Sequence, residues 1–237
     1  IAVFSGSAVA ANAGPDQDLC TPAFTATLAG NAAVAPGVGT WAVVSGTGIF
    51  ADVHGAGTTV SGLQVGDNIL SWTINNGNCG TTTDQVRIRV FDAANPAANA
   101  GPDQQLCTPT TSATMAGSAL TYPATGTWTL VSGDGVIASP NSPNTQITGM
   151  PVGTNVFRWT VSNGPCGTGL SLDEVSVTVY DHTVSGADAG PDQQLCTPVT
   201  SATMAASAGD APAQGTGTLI SGSGVIASLH DPQTMMT

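Results

Sequence analysis

The residues best equipped for acid–base, metal or thiol chemistry in this sequence are three histidines, fifteen carboxylates and five cysteines. A general base needs a positioned partner and a pocket. His54 lies in a Gly-rich loop, His182 in a linker and His230 near the end of the chain, so all three read as surface loop residues. Neither a G-x-S-x-G elbow nor an H-E-x-x-H pair is present. All three basic residues are arginines (Arg87, Arg89 and Arg158) and there is no lysine. That absence removes the P-loop, the Schiff base and the Lys–Asn isopeptide crosslink from consideration. The chain reads as a non-enzyme.

The elements that position these residues recur. Gly-Pro-Asp-Gln begins at Gly14, Gly101 and Gly190, with periods of 87 and 89 residues. Cys20, Cys107 and Cys196 keep step, as do Trp41 with Trp128, Trp72 with Trp159 and Cys79 with Cys166. A period near ninety residues is too long for a solenoid unit and suits a small sandwich domain of the immunoglobulin size class. The expected organisation is a last strand of a preceding repeat plus linker over 1–10, repeats over 11–92 and 98–181, and a partial repeat over 187–237. The array is expected to continue in both directions. The three histidines are read as falling at no equivalent positions.

Within the first repeat, strand character falls at Val9–Ala11, Phe24–Leu28, Gly39–Ser45, Gly48–Val53, Thr58–Leu63, Asn68–Asn75 and Asp84–Phe91. About seven short strands separated by turns predict an all-β sandwich. Alternation points Leu70, Trp72 and Ile74 inward, then Val86, Ile88 and Val90, with Phe157, Trp159 and Val161 in the second repeat. Arg87 and Arg89 fall on the outward frame and read as a solvated face. Ser-Gly-x-Gly at Ser45, Ser132 and Ser221 predicts a tight hairpin needing glycine's positive φ. The four tryptophans read as core, with a sugar-stacking platform as the competing use.

Cys20 with Cys79 and Cys107 with Cys166 share a spacing of 59 residues. They are expected to form one disulfide per repeat, fastening the opening loop to a late hairpin, with the partner of Cys196 outside this segment. Such bridges imply an oxidising compartment. The spacing does not suit a zinc site. Asp16, Asp103 and Asp192 recur in the opening motif, and Asp84 and Asp173 before the last strand. Calcium at the junctions is the metal these could hold, but it wants six to eight oxygens, and Asp after Pro more often caps a turn. No cofactor is otherwise expected. Phe4, Phe91 and Tyr180 close the last strands on the frame opposite the core valines, and are expected to pack against the neighbouring repeat.

With a formal charge of -12 and no clustered Lys/Arg to neutralise phosphate, nucleic acid and anionic membranes are poor partners, and neither nucleic-acid binding nor membrane insertion is expected. No apolar run is long enough for a membrane span, and residues 1–11 lack the features of a signal peptide, so an export signal is expected outside the segment. Only 8% of residues are charged, with 30 glycines and 15 prolines, a profile of short strands and many turns.

The opening at Ala100–Gln104, Gly126-Thr127-Trp128, the stretch GTNVFRWTVSN from Gly153 to Asn163, and Asp173-Glu174-Val175 together resemble a known repeat class. These are the PKD-like, immunoglobulin-like tandem repeats of large Bacteroidota cell-surface adhesins, including gliding-motility proteins of the SprB kind. The resemblance implies type IX secretion, an extracellular, cell-surface place, and a role as stalk or filament segment. Ligands such as surface polysaccharide or substratum would then be met by other regions, and neighbouring repeats or other copies in a fibre would be the direct partners. The alternatives are a carbohydrate-binding accessory module and a subunit of a self-assembling fibre. Gly217 stands where Trp41 and Trp128 do, a departure within the third repeat.

Overall fold

The computed structural model describes residues 9–167, 170–183 and 186–237; the expected strand at 1–4, Phe4 included, lies outside them. The first repeat contains β1 (Gln17–Cys20), β2 (Ala26–Thr27), β3 (Val38–Ser45), β4 (Ile49–Phe50), β5 (Thr59–Ser61), β6 (Gly66–Asn75) and β7 (Thr81–Phe91). They form a four-stranded sheet in the order β1-β7-β6-β3 and a three-stranded sheet in the order β2-β5-β4. The second repeat repeats this plan with β8 (Gln104–Cys107), β9 (Ala113–Thr114), β10 (Thr125–Ser132), β11 (Val136–Ile137), β12 (Gln146–Thr148), β13 (Gly153–Ser162) and β14 (Leu170–Tyr180). Its sheets run β10-β13-β14-β8 and β11-β12-β9. The third stretch has β15 (Ala202–Thr203) and β16 (Met235–Met236), paired antiparallel. The architecture is all-β, and among the described residues no helix is long and apolar enough to cross a membrane.

Contacts divide the chain into two compact units. One comprises Ile1–Asn99 with Gly117–Thr127 and Trp159–Asp173; the other comprises Ala100–Ala116, Trp128–Arg158 and Glu174–Thr237. Parts of the second repeat, Gly117–Thr127 and Trp159–Asp173 with residues of β10, β13 and β14, therefore belong to the first unit.

The core of the first repeat follows from its alternation. Leu70, Trp72, Ile74, Val86, Ile88 and Val90 are all buried, joined by Trp41, Leu28 and Val60. Each such large side chain contributes about 1.5–3 kcal/mol on burial. Trp41 and Trp72 meet at 4.9 Å between ring centroids. Gly39 lies under the Trp72 indole and Gly126 under the Trp159 indole, where a Cβ would overlap the ring. This is why Gly-Thr-Trp recurs.

Two expectations are corrected. Val9–Ala11 is not a strand; side chains tie it down instead, Thr82 Oγ1 accepting from the Ala11 amide at 2.9 Å and donating to the Val9 carbonyl at 3.0 Å. The opening strand is β1, parallel to β7 in the register Gln17↔Ile88 to Cys20↔Phe91. Nor is Ser-Gly-x-Gly a hairpin, because β3 pairs with β6 while β4 pairs with β5, so the turn carries the chain from one sheet to the other. Gly46 and Gly133 have φ of 77° and 82° there. A Cβ at either would strike a buried asparagine, Asn68 or Asn155.

Candidate functional site

The structure joins Cys20 to Cys166, with Cα atoms 5.2 Å apart and the two residues 146 positions apart in sequence. This overturns the expected pairs Cys20–Cys79 and Cys107–Cys166; Cys79, Cys107 and Cys196 are free and exposed. The reason is strand geometry. Cys20 lies opposite Phe91, the last residue of β7, whereas Cys79 precedes its first residue, Thr81. The eleven residues of β7 separate the two cysteines by roughly 30 Å. A disulfide tolerates a Cα separation of no more than about 7 Å. Cys107 faces Tyr180 at the far end of β14 from Cys166, so the same length of strand separates that pair.

Around this bridge the chain leaving β7 is held on several sides, all within the first unit. The Phe91 carbonyl accepts from the Thr21 amide at 2.9 Å, and Thr21 Oγ1 accepts from the Ala93 amide at 2.9 Å. The Phe91 ring is buried against Gly164, in the turn Asn163-Gly164-Pro165-Cys166. Asn163 Nδ2 donates to the Asp92 carbonyl at 2.9 Å. Asn95 pairs doubly with the backbone of Thr121, its Oδ1 accepting at 2.7 Å and its Nδ2 donating at 3.1 Å. Backbone polar groups of a connecting segment must find partners, and here they find them on both neighbouring repeats. Tyr180, the equivalent of Phe91, is half-buried.

A charged cluster sits on the same joint. Arg89 Nε donates to Asp67 Oδ1 at 2.7 Å, and Tyr122 Oη donates to Asp67 Oδ2 at 2.6 Å. The Arg89 guanidinium lies 5.8 Å from the centre of the Tyr122 ring. The Arg89 hydrogen bond, with a smaller contribution from Tyr122, holds the Asp67 carboxyl below its ordinary range. The bond to Asp67 is likewise the main cause raising the Tyr122 phenol. This cluster was not foreseen, since Tyr122 meets residues 55 positions away in sequence. Its equivalents in the second repeat, Thr154 and Thr178, make a neutral hydroxyl pair.

Most of the other singled-out residues have structural partners. Asp16 accepts from the Arg87 amide at 2.9 Å and pairs with its guanidinium at 3.2 Å; Asp103 accepts from the Ser176 amide at 2.8 Å. These aspartates fasten the opening segment to the last strand. Asp84 accepts from the Ala13 amide at 2.8 Å, while Asp192 is exposed. Asp173 lies in β14, half-buried. Among the described residues no three His, Cys, Asp or Glu gather into a group that could hold a metal ion. Arg87, Arg89 and Arg158 are ion-paired rather than merely solvated, Arg158 with Glu174 at 2.6 Å.

The histidine reading is also corrected. His54 and His230 are equivalent, each Nδ1 reaching a glycine carbonyl (Gly39 at 2.8 Å, Gly215 at 3.1 Å) and a threonine hydroxyl (Thr40 and Thr216). They brace the same loop. His182 meets Thr108 Oγ1 at 2.8 Å beside the exit of β14. All four tryptophans are buried and donate their indole N–H within the fold, to Gly55, Asn31 and Pro143 carbonyls and to Ser118 Oγ.

Comparison with known proteins gives one family match: residues 100–179 match the family described as K319L-like, PKD domain. Among solved structures, the chain is similar to the PKD domain from the KIAA 1837 protein, at 29% identity over 41% of this chain and 93% of that one, with a TM-score of 0.33. It is also similar to the PKD domain of human KIAA0319, at 20% identity over 41% of this chain and 87% of that one, with a TM-score of 0.31. A three-domain immunoglobulin segment of titin, the I67–I69 variant, aligns over 94% of this chain and 84% of its own at 12% identity, with a TM-score of 0.40. No curated protein matches the chain. PKD-like domains are generally non-catalytic modules of extracellular proteins, and the disulfide agrees with that setting.

Proposed function

We propose that this chain is a spacer: a stretch of tandem PKD-like domains in a secreted cell-surface protein, holding an adhesive or motility function away from the cell. The observation that carries the reading is the pinned joint. A linker whose backbone is hydrogen-bonded to both neighbours, covered by Phe91 and crossed by the Cys20–Cys166 bridge transmits position instead of letting domains swing. The resemblance to Bacteroidota surface adhesins supports a stalk exported by the type IX route. The tryptophans that a sugar-stacking platform would expose are spent in the cores.

Solution scattering on chains with increasing numbers of repeats tests this. A spacer gains length by a constant increment per repeat and keeps its dimensions when calcium is replaced by chelator. A compact particle, or a collapse on chelation, would overturn the reading. A second reading, a fibre subunit, is favoured by exposed apolar pairs at one place in each repeat: Val43–Val44, Leu130–Val131 and Leu219–Ile220. It predicts concentration-dependent association by sedimentation, which the spacer does not.

A further inference from the structure

We propose that the Cys20–Cys166 bridge is one link of a repeating scheme, in which the opening cysteine of each repeat bonds to the late-turn cysteine of the repeat that follows it. Cys79, Cys107 and Cys196 are then the unmatched halves of three further links, and the partner each fits is another copy of this repeat. The inference rests on the tandem-array reading above.

Four cysteines occupy two equivalent places. Cys20 and Cys107 each end a strand that runs parallel to the repeat's last strand, opposite Phe91 and Tyr180. Cys79 and Cys166 each close an Asn-Gly-x-Cys turn leading into that last strand. The glycines of the two turns have the same left-handed backbone, φ 63° at Gly77 and 53° at Gly164. At the one joint where an opening cysteine meets the next repeat's turn, the bond is made.

The fittings around the bonded pair also recur around the unbonded one. Thr108 accepts at its Oγ1 from the His182 amide at 3.0 Å, and the Thr108 amide donates to the Tyr180 carbonyl at 2.9 Å, as Thr21 does with Ala93 and Phe91. Asp181 Oδ1 accepts from the Thr183 amide as Asp92 Oδ1 accepts from the Ala94 amide, each at 2.9 Å. The half-joint at Cys107 is therefore built like the completed one at Cys20. Bonding within a repeat is excluded by the length of the last strand. Each link forms when two thiols reduce the disulfide of a thiol oxidoreductase: one S–S bond forms in the array, one breaks in the oxidant, and two protons and two electrons pass to the oxidant's sulfurs.

The test is disulfide mapping under non-reducing conditions on an oxidised chain in which residues 1–189 are followed by a second copy of residues 14–181. The native linker then leads from the second repeat into a new first repeat. The expected bonds are Cys20–Cys166 in each half and Cys107 to the Cys79 of the second copy, leaving the first Cys79 and the last Cys107 as free thiols. If both Cys20–Cys166 bonds form while Cys107 and the second Cys79 stay free, the scheme is overturned and the spacer reading is untouched. Cys20–Cys79 or Cys107–Cys166 bonds, or no bond at Cys20, overturn it as well. The Cys20–Cys166 bonds report in the same digest that the repeats have folded.

Discussion

Tyr122 Oη donates a 2.6 Å hydrogen bond to Asp67 Oδ2, so a tyrosine of the second repeat completes the carboxylate shell that Arg89 begins in the first. Tyr122→Phe is expected to raise the Asp67 carboxyl back toward its ordinary value while leaving the Arg89 bond in place. A carbon-detected NMR titration of Asp67 in both proteins checks this; an unchanged titration would separate Tyr122 from the cluster.

The same cluster sets a pH window. Asp67 is held below its ordinary range, so its contribution is present above the usual carboxylate value and is lost as pH falls through the lowered one. Tyr122 is raised, so its contribution is present below the usual phenol value and is lost as pH rises through the raised one. Protection of the Asp92–Asn95 amides, taken as exchange corrected for its intrinsic pH dependence, is therefore greatest between these limits and falls at both ends. A monotonic profile would refute the assignment.

Gly126→Ala puts a methyl into the Trp159 indole. Overpacking of this kind costs about 3 kcal/mol, read as a lower urea midpoint. Gly215→Ala serves as a control for glycine loss without a clash: nothing lies within 4 Å of its Cβ direction and its backbone needs no left-handed φ.

Asn68 is wholly buried; its Oδ1 accepts from the Thr47 and Gln64 amides at 3.0 and 3.2 Å, and its Nδ2 donates to the Ile88 carbonyl at 3.2 Å. Asn68→Ala leaves these groups without partners at a cost of about 2–3 kcal/mol. Chemical denaturation followed by tryptophan emission measures it, and a change near zero would mean that water replaces the side chain.

Cys166→Ser, or Phe91→Ala with the bridge intact, is expected to loosen the joint while both cores persist. Hydrogen exchange at Asn163 and Gly164 should rise in either variant, with tryptophan emission unchanged. Protection equal to the parent's would show that the remaining hydrogen bonds suffice.

Much of this was readable from the residues. Period-two alternation around Trp72 and Trp159 gave the inward frames, and the recurring motifs gave the repeat. The cysteine pairing was not readable, for a physical reason. In a tandem array any two recurring positions keep the same spacing whether or not they touch, so the shared interval of Cys20–Cys79 and Cys107–Cys166 carries no information about contact. What decides is the parallel β1–β7 register, a long-range pairing that local pattern does not encode. Asn68 and Asn155 did leave a signal, a polar residue at matching places in the otherwise apolar frame of β6 and β13. The offset of His230 from His54 equals that between Gly190 and Gly14, which marks them as equivalent.

The parallel pairing of β1 with β7 also fixes how the first repeat meets tension. With the Cys20–Cys166 bond reduced, force that enters at the start of β1 and leaves at the end of β7 pulls the four paired residues from Gln17 to Cys20 lengthwise past Ile88 to Phe91, whereas the intact bond carries that load covalently past β7. Their hydrogen bonds share the load in shear and must fail together, whereas strands peeled from one end would lose theirs in succession. With that bond reduced, a domain wired this way is a clamp, stiffest along the line from the start of β1 to the end of β7.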